Sequence, residues 1–443
     1  MEQVGPRFNL KAVVQQTGLK PDTLRAWERR YGLPTPERSE GRHRLYSQHD
    51  IDTIKWLMAR QREGLSIKRA VDLWQQILAE GRDPLRTATP IATSAVPVLA
   101  PYAGGETIAE LRRNWISACL AYDERQAEQI VNQAFALYPP ETVAVELLQK
   151  AVAEIGEGWY RGKVTVQQEH FCSGLVIRRM EAMVMAAPLP TRPGRILFAC
   201  PPQEQHVIGP LLLTFILRRR GWEVVYLGAN VPTEQLDSTV AATKPQLVML
   251  AAQQLHTAAT LLEMAHQLGK QNVPLAYGGL IFNLVPELRK RIPGHFLGEQ
   301  LEKAPQVVES LMTVPRAIPA ADTVPDRFRE ARAHFDEQES FIEARLVQAR
   351  RSMDVAPQLL MIANRGLALN ISAALALGDM DYLGTDIDWV KGLLGNYGHP
   401  TELLREYLIA YHRAAAEFLD ERGEPVVAWL NKVIEENGFH WGG

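Results

Sequence analysis

A carboxylate and an imidazole stand two residues apart in the stretch GRILFACPPQEQHVIGPLLLT, residues 194–214. The apolar run 196–199 predicts a buried strand, and the apolar run after Gly209 predicts a helix. His206 would then lie outside the carboxyl end of a strand, where open parallel sheets bind their ligands. Imidazole is a common ligand of transition metals, and the Glu204 carboxylate could fix its tautomer and raise its basicity. Gly209 would leave room for a large group close to the backbone.

A single histidine at such a place is more often a helix-capping or solvent-facing residue, so the metal hypothesis needs support from elsewhere in the chain. A second group of residues lies in IGEGWYRGKVTVQQEHFCSG, residues 155–174, where Glu169 and His170 follow Trp159 by ten and eleven residues. An aromatic ring with a carboxylate–imidazole pair could cap the apolar face of a cofactor. Taken alone, a core tryptophan and a surface Glu–His pair are the commoner explanation.

Residues 1–78 have the composition of a DNA-binding segment. They carry 14 Lys and Arg against 9 Asp and Glu, a net charge of +5, whereas the rest of the chain has −8. We therefore predict a polyanion partner for this segment only. Helical patterns at 9–17 and 20–31 precede YGLPTPERSEGRHRLYS, which predicts a β-wing, and a winged helix-turn-helix places its second helix in the major groove. The alternative is an exposed basic helix pair without a ligand.

Six residues of this segment are predicted to contact DNA. Arg25 is expected to reach a base edge, and the other three arginines of the set are expected to meet phosphates. The predicted DNA-binding residues are Thr23, Arg25, Arg30, Arg42, Arg44 and Tyr46.

Length and composition limit the class of protein. The 443 residues suffice for about three domains, and 46% hydrophobic with 22% charged residues is ordinary for a soluble protein. Cys119, Cys172 and Cys200 are too few and too scattered for a disulfide framework, which favours a reducing compartment. We find neither a signal-peptide pattern nor an apolar stretch of about 18 residues, so we expect a cytoplasmic protein that does not span a membrane.

The pattern of elements predicts a multidomain chain. Two segments rich in proline and alanine predict linkers, and short apolar strands alternate with helices from residue 194, which predicts a parallel sheet of the Rossmann-like α/β class. The predicted units are a winged helix-turn-helix domain at 1–78, a flexible linker at 79–106, a helical domain at 107–190, an α/β domain at 191–312, a second linker at 313–325 and an all-α domain at 326–443.

The stretch LRAWERRYGLPTPERSEGRHRLYS resembles the MerR family of winged-helix regulators, and the resemblance covers residues 7–78. It implies that the partner is a double-stranded DNA operator. MerR proteins usually dimerise through a long helix after this domain. Here the helix predicted at 66–78 gives way to the linker, so we expect dimerisation to come from elsewhere in the chain.

The sequence Glu204-x-His206-x-x-Gly209 resembles the (Asp/Glu)-x-His-x-x-Gly signature of cobalamin-binding domains. The resemblance implies that His206 is the lower axial ligand of cobalt and that the nucleotide tail of cobalamin threads beside the sheet. Gly278 and Gly279, in YGGLIFN, match the glycine pair that lines the tail. The family often has a small hydroxyl residue at the third strand, whereas this chain has AAQQ at residues 251–254.

Trp159, Glu169 and His170 resemble the cap of light-sensing, adenosylcobalamin-dependent regulators of the CarH and LitR type, whose cobalamin is held by a four-helix bundle and an α/β domain. In that family the tryptophan shields the adenosyl group, the glutamate hydrogen-bonds to it, and the histidine can ligate cobalt after light removes it. The resemblance implies a homo-oligomer, a dimer or tetramer, whose assembly or DNA affinity changes on photolysis of the cobalt–carbon bond. Multivalent DNA binding would make that change effective.

The last 118 residues resemble, in architecture only, the helical bilin-binding domain of photocobilins. The resemblance implies biliverdin as a second chromophore, held without a thioether inside this domain because no cysteine follows Cys200. The alternative is a dimerisation or effector module without a ligand, since aromatic residues at helical spacing are more often core residues. The predicted bilin-binding residues are Trp389, Tyr397, His399 and His412.

Three functions compete on this basis. The first is a light-responsive transcriptional regulator that is not an enzyme, and the trio of Trp159, Glu169 and His170 favours it. The second is a regulator in which cobalamin reports B12 status and light has no role. The third is a subunit of a corrinoid enzyme, which would need a substrate barrel or a partner chain and would leave the basic first domain without a purpose.

Overall fold

The computed structural model describes residues 8–38, 44–62, 67–79, 84–85, 107–314, 317–349 and 356–436. They belong to two compact units, Met1–Gly105 and Glu106–Gly443. Arg42 and most of the predicted linker 79–106 lie outside the described residues.

The first unit contains a helix-turn-helix and a small antiparallel sheet in the strand order β1-β3-β2. Its first helix begins after Asn9, whose side chain accepts a hydrogen bond from the Ala12 amide at 2.9 Å. The second helix begins at Pro21, where a missing N–H costs nothing. The elements are β1 (Phe8–Asn9), α1 (Leu10–Thr17), α2 (Pro21–Tyr31), β2 (Glu37–Arg38), β3 (Arg44–Tyr46), α3 (Gln48–Arg62) and α4 (Ile67–Ala79).

The second unit starts with a helical region that reaches residue 185. Thr107 and Thr165 each close a capping box, with Glu110 and Gln168, so two of the helices have defined beginnings. Buried Trp115, among others, fills the space between them. The helices are α5 (Ile108–Leu120), α6 (Glu124–Leu137), α7 (Pro140–Thr142), a π-helical stretch (Val143–Gln149), α8 (Lys150–Tyr160) and α9 (Val166–Met185).

A five-stranded parallel sheet follows, in the order β5-β4-β6-β7-β8. Helices cover both faces of parallel sheets, which explains why the central strands are almost wholly apolar. The strands are β4 (Arg195–Ala199), β5 (Glu223–Gly228), β6 (Leu247–Ala251), β7 (Leu275–Gly278) and β8 (His295–Phe296). The helices are α10 (Ile208–Arg219), α11 (Leu236–Thr243), α12 (Leu255–Lys270), α13 (Ile281–Leu284) and α14 (Ala304–Thr313), with 3-10 turns at Pro286–Lys290 and Leu301–Lys303.

The strand order fixes the place where a ligand can bind. The chain goes from β4 to β5 on one side and then returns to β6 on the other side of β4. Loops that leave in opposite directions open a crevice outside the carboxyl ends of the strands at this switch point. The crevice therefore lies between the segments that follow β4 and β6.

Every described element from residue 326 to 436 is helical. The apolar residues of these C-terminal helices form one continuous core with the α12 side of the sheet. The α/β and C-terminal regions are therefore parts of one compact unit. The elements are α15 (Asp326–Ala349), α16 (Pro357–Leu377), a 3-10 turn (Met380–Leu383), α17 (Gly384–Asn396), α18 (Glu402–Phe418), a 3-10 turn (Glu421–Gly423) and α19 (Glu424–Glu436).

The described part of the predicted linker 313–325 is attached to its neighbours. The Asp322 amide donates to the Lys290 carbonyl at 2.8 Å. Arg291 donates to the Thr323 carbonyl at 3.0 Å and also reaches the Gly378 carbonyl at 3.4 Å. The expectation of a flexible linker does not hold for these residues, because two of the hydrogen bonds attach Asp322 and Thr323 to the α/β region, while the third joins Arg291 to Gly378 after α16.

One described helix, α16, is long and apolar enough to cross a membrane by length and composition. The expectation that the chain has no such stretch therefore needs correction. The apolarity of α16 has another use in this structure, because Ile371, Ala374 and Leu375 are fully buried in the shared core. Core helices pass the same test of length and composition.

Candidate functional site

Glu204 lies at the switch point and joins its two sides. Its carboxylate is fully buried and accepts four hydrogen bonds. Oε1 accepts from the His206 backbone N–H at 2.9 Å and its ring Nδ1 at 2.7 Å. Oε2 accepts from the backbone N–H of Gln253 at 2.6 Å and from the Thr257 hydroxyl at 2.7 Å. The loop after β4, the loop after β6 and the first turn of α12 thus meet at one carboxylate.

These contacts determine the charge states of the pair. Burial is the largest influence on Glu204 and opposes its ionisation, but the hydrogen bonds from His206, Gln253 and Thr257 outweigh it and lower the pKa of Glu204. The hydrogen bond to Glu204 raises the pKa of His206. Since an ionised carboxylate only accepts, Nδ1 carries the proton, and in the neutral form of the ring Nε2 has the lone pair that could bind a ligand. The His206 side chain is 58% exposed, so that lone pair is accessible.

His206 is a single imidazole beside an open space. Within the described residues no group of three or more His, Cys, Asp or Glu side chains could hold a metal ion. A Cβ added at Gly209 would have no atom within 4 Å, so there is open space where α10 begins.

Gly278 and Gly279 occupy different environments. A Cβ on Gly278 would make ordinary contact with Leu297 at 3.7 Å. Gly279 has φ +125°, and a side chain there would collide with the Ala252 carbonyl oxygen. Gly279 is thus required by the close approach of the loops after β6 and β7, and its predicted contact with a nucleotide tail stays a prediction.

The three predicted cap residues lie at the junction of α8 and α9. Trp159 is half-buried near the end of α8, and Glu169 and His170 occupy the first turns of α9. The Glu169 carboxylate contacts His170 Nδ1 at 2.7 Å and accepts from the Ser173 hydroxyl. The charge of Glu169 also contributes to raising the pKa of His206, which places Glu169 within electrostatic range of the switch point.

The structure separates the four predicted bilin-binding residues. Trp389 and Tyr397 contact α8, where Tyr397 donates to the Trp159 carbonyl at 2.9 Å. His399 follows Tyr397 in an exposed turn. His412 instead lines a shallow groove of about 470 Å³ between α18 and α19, together with Asp420. The other three residues do not line that groove, and Trp389 and Tyr397 have a packing role that their sequence did not reveal, so their predicted contact with a bilin stays a prediction.

The predicted DNA-binding residues divide into exposed and anchored ones. Arg25 and Arg30 are exposed on α2, and Thr23 is half-buried. Tyr46 is fully buried and donates its hydroxyl to Glu28 at 2.6 Å. Its assignment as a DNA contact was therefore wrong, because β3 turns that ring into the domain core.

Arg44 neighbours Tyr46 in the same arrangement. The Arg44 Nε donates to Glu28 at 2.7 Å. Arg44 and Tyr46 therefore both attach β3 to α2. The predicted phosphate contact of Arg44 stays a prediction, and it would have to coexist with this ion pair. Arg29, which the sequence analysis did not assign, is exposed beside Arg30.

Comparison with known families agrees with these two sites. Residues 8–77 match the MerR HTH family regulatory protein model, and residues 111–183 and 194–308 match two models described as B12 binding domain. The HTH-type transcriptional repressor CarH of Myxococcus xanthus is 31% identical over 297 residues, which are 66% of this chain and 96% of that protein.

The chain belongs to the CarH family. A second member, the HTH-type transcriptional repressor CarA of Myxococcus xanthus, is 30% identical over 55% of this chain and 76% of its own length. The monomethylamine corrinoid protein of Methanosarcina barkeri aligns with 46% of this chain and all of its own, at 17% identity and a TM-score of 0.41. The MerR and B12-binding models, together with the two repressors, make this CarH-family chain a B12-binding transcriptional regulator of the MerR type, and not an enzyme.

Sequence reasoning missed the residues that complete the hydrogen bonding of Glu204. Gln253 was noted only as a departure from a hydroxyl residue, yet its backbone N–H bonds Glu204. The hydroxyl arrives from Thr257 on α12 instead. Thr257 lies three residues after Gln254 and forms a capping box with it, and this spacing was the sequence signal that could have indicated Thr257. Glu28, the partner of both Arg44 and Tyr46, carried no signal that distinguished it from a surface glutamate.

Proposed function

We propose that this protein is a light-responsive transcriptional regulator that binds adenosylcobalamin, and that His206 is the residue that would hold its cobalt. The observation that carries the proposal is the buried Glu204 carboxylate, which holds the Nδ1 proton of His206 and leaves Nε2 for the metal. A carboxylate behind a ligating histidine fixes the ring and raises its basicity. The position of the pair at the switch point of the sheet supports it further.

The residues around the proposed cofactor site have separate roles. When bound, adenosylcobalamin would supply a cobalt–carbon bond that light can break. Trp159 would cover the upper face and exclude water, and Glu169 would accept a hydrogen bond from the adenosyl group. His170, exposed beside Glu169, is a second imidazole available to the metal. Gly209 leaves the space that a corrin ring would need.

The output would be a change in DNA binding in the cytoplasm. We propose that α2 binds the major groove of a double-stranded operator and that a homo-oligomer, dimer or tetramer, combines several such domains. Linking several weak DNA contacts raises the overall affinity by orders of magnitude, so a change of oligomeric state changes occupancy of the operator. The net charge of +5 in residues 1–78 supports the choice of partner.

Absorption spectra of the full chain test the proposal. The protein is loaded with adenosylcobalamin in darkness, and spectra and operator binding at fixed salt are recorded before and after green light. We expect the spectrum and the DNA affinity to change with illumination, and we expect His206→Ala to weaken cobalamin binding. His266→Ala, which removes an exposed histidine of α12, is the matched control.

Two results would decide against parts of the proposal. Cobalamin binding without any effect of light would leave the light-independent B12 sensor. Unchanged cobalamin binding in His206→Ala would overturn the assignment of the axial ligand. Biliverdin as a second chromophore is a separate prediction: a red-absorbing band that appears only with biliverdin would support it, and its absence would make the last domain a structural or effector module.

A further inference from the structure

The C-terminal helices contact the cap helix next to Trp159. Trp389 of α17 stacks on Tyr160 with ring centroids 5.8 Å apart and lies 6.1 Å from the Trp159 ring. Tyr397 donates its hydroxyl to the Trp159 carbonyl at 2.9 Å, and the Asn396 amide donates to the Tyr160 carbonyl at 3.0 Å. Both the ring and the backbone of Trp159 are thus held by a segment more than 200 residues away.

Glycines on both sides permit this close approach. A side chain at Gly392 of α17 would collide with the Tyr160 hydroxyl. A Cβ at Gly162, which follows α8 with φ +68°, would lie 3.1 Å from the Asn396 carbonyl oxygen. The end of α8 and the face of α17 are therefore in direct contact, and a larger residue at either glycine would require the Tyr160 side chain or the Asn396 carbonyl to shift.

The same C-terminal helices are also attached to the sheet side of the site. Buried Ile371 and Ala374 of α16 belong to the same apolar core as residues of α12 that include Leu255 and Ala259. Arg332 of α15 donates to Glu263 of α12 at 3.1 Å. One group of helices consequently bridges α8, which carries Trp159, and α12, whose first turn bonds Glu204.

We propose that the C-terminal helices position Trp159, and that Trp389 and Tyr397 are the residues through which they determine which upper axial ligand the cobalamin site accepts. This inference rests on the proposed function, in which Trp159 covers the upper face. A half-buried indole without these contacts would sample several positions. Ordering it on binding would then cost affinity for the ligand that needs the indole most, which is the large adenosyl group.

Trp389→Ala in the full chain tests the inference. Dissociation constants are measured in darkness for adenosylcobalamin and for hydroxocobalamin, whose upper ligand is small. We expect adenosylcobalamin binding to weaken about tenfold, which corresponds to about 1.4 kcal/mol, and hydroxocobalamin binding to weaken less than about twofold. Trp389→Phe keeps an aromatic ring against Tyr160 and is expected to restore most of the difference.

Phe341→Ala is the matched control for the loss of an aromatic ring. Phe341 is 54% exposed, comparable to 45% for Trp389, and stacks on Phe418 within the C-terminal helices. We expect it to leave both dissociation constants unchanged. If Trp389→Ala leaves the ratio of the two dissociation constants unchanged, because both rise equally or neither changes, the inference is overturned while the proposed function stays intact.

Hydrogen exchange of the cofactor-free chain gives a readout that does not need cobalamin. We expect Trp389→Ala and Tyr397→Phe to raise exchange in residues 155–162 and to leave α5 and α6 unchanged, which also excludes general unfolding. Unchanged exchange in 155–162 would show that α17 does not hold α8, and would overturn the inference. If the wild-type protein binds neither adenosylcobalamin nor hydroxocobalamin, both the proposed function and this inference are wrong.

Discussion

Glu204 is the residue on which the candidate site depends, because both of its oxygens are used for different purposes. Oε1 fixes the ring of His206, and Oε2 bonds the loop after β6 and the first turn of α12. A buried charge is tolerated where hydrogen bonds replace its hydration. Here those hydrogen bonds also set the geometry of the ligand.

Glu204→Gln tests this role. The amide keeps the shape of the side chain but loses the charge, and its NH₂ group would face donors on one side. We expect cobalamin affinity to fall roughly 10- to 100-fold, as for other groups that orient a metal-ligating histidine. Equilibrium titration with hydroxocobalamin measures it, with Glu299→Gln, an exposed carboxylate paired to Arg289, as the control. Wild-type affinity in Glu204→Gln would contradict this role.

Single residues were predictable where the chemistry is local in sequence. Glu204 and His206 are two residues apart at the end of a strand, so their pairing could be expected from spacing alone. Thr257 lies 53 residues further on, and only the adjacency of β4 and β6 in the sheet brings its hydroxyl to Glu204. Tyr46 was misassigned because a three-residue strand gives too short an alternation to tell its buried face from its exposed one.

At the scale of elements, the wing of the first unit is held by one side chain. Glu28 of α2 bonds both Arg44 and Tyr46 of β3. We expect Glu28→Gln to lower the free energy of unfolding of this unit by about 1–3 kcal/mol, since it leaves buried donors poorly satisfied. Thermal unfolding and operator affinity measure the effect. Asp22→Asn, at a 95% exposed side chain of the same helix, is the control and should change the stability little.

The first turn of α17 contains a carboxylate whose burial raises its pKa, Asp386, to about 6. The folded protein therefore keeps this proton up to a higher pH than the unfolded chain, whose aspartates titrate near ~3.9. Stability from this residue is greatest below that lower value and falls as the pH rises from about 3.9 to about 6.

Asp386→Asn should remove this pH dependence. We expect the variant to be more stable than wild type above pH ~6, by on the order of 1 kcal/mol, and to lose that advantage near pH ~4. Hydrogen exchange of α17 at the two pH values measures the difference. Asp388→Asn, an exposed carboxylate on the same helix, is the matched control. A variant with an unchanged pH profile would contradict the prediction.

Elements with strong periodicity were predicted well, and the connections between them were not. The alternation of short apolar strands and helices from residue 194 predicted a parallel sheet, which the structure contains as β4 to β8. Segment 313–325 has the composition of a linker, but its backbone groups find partners in Lys290 and Arg291. Composition describes what a segment prefers when alone, and it does not report the surface beside which the fold places it.

At the scale of the whole molecule, DNA binding should depend steeply on salt. Exposed Arg30 is expected to neutralise a phosphate, so Arg30→Ala should reduce the slope of log K against log salt by about 0.9 for each bound domain. Arg25→Ala should instead reduce the preference for the operator over other DNA, by roughly 1–3 kcal/mol if Arg25 contacts a base. Titrations at several salt concentrations, with Arg329→Ala of α15 as the control, separate the two effects.

The order of a MerR-type segment before the B12-binding regions followed from the sequence, but the packing of helices within the second unit did not. Trp389 and Trp159 are each half-exposed aromatic residues at helical spacing, and nothing in either segment indicates that they meet. Such contacts depend on how α15 and α16 cover α12, which is a property of the assembled unit. The aromatic residues that suggested a chromophore site are, in part, the residues that join the C-terminal helices to the cap.

The covering of α12 by α16 also limits how this protein can be shortened. Ala259 lies between His256 and Glu263 on the face of α12 that the C-terminal helices contact, and it is almost fully buried. A truncated chain ending after residue 313 would present that face to water and would be prone to aggregate. Removing the C-terminal helices would therefore need polar substitutions along α12, whereas adding them to another B12-binding regulator would need an apolar helix face for them to cover.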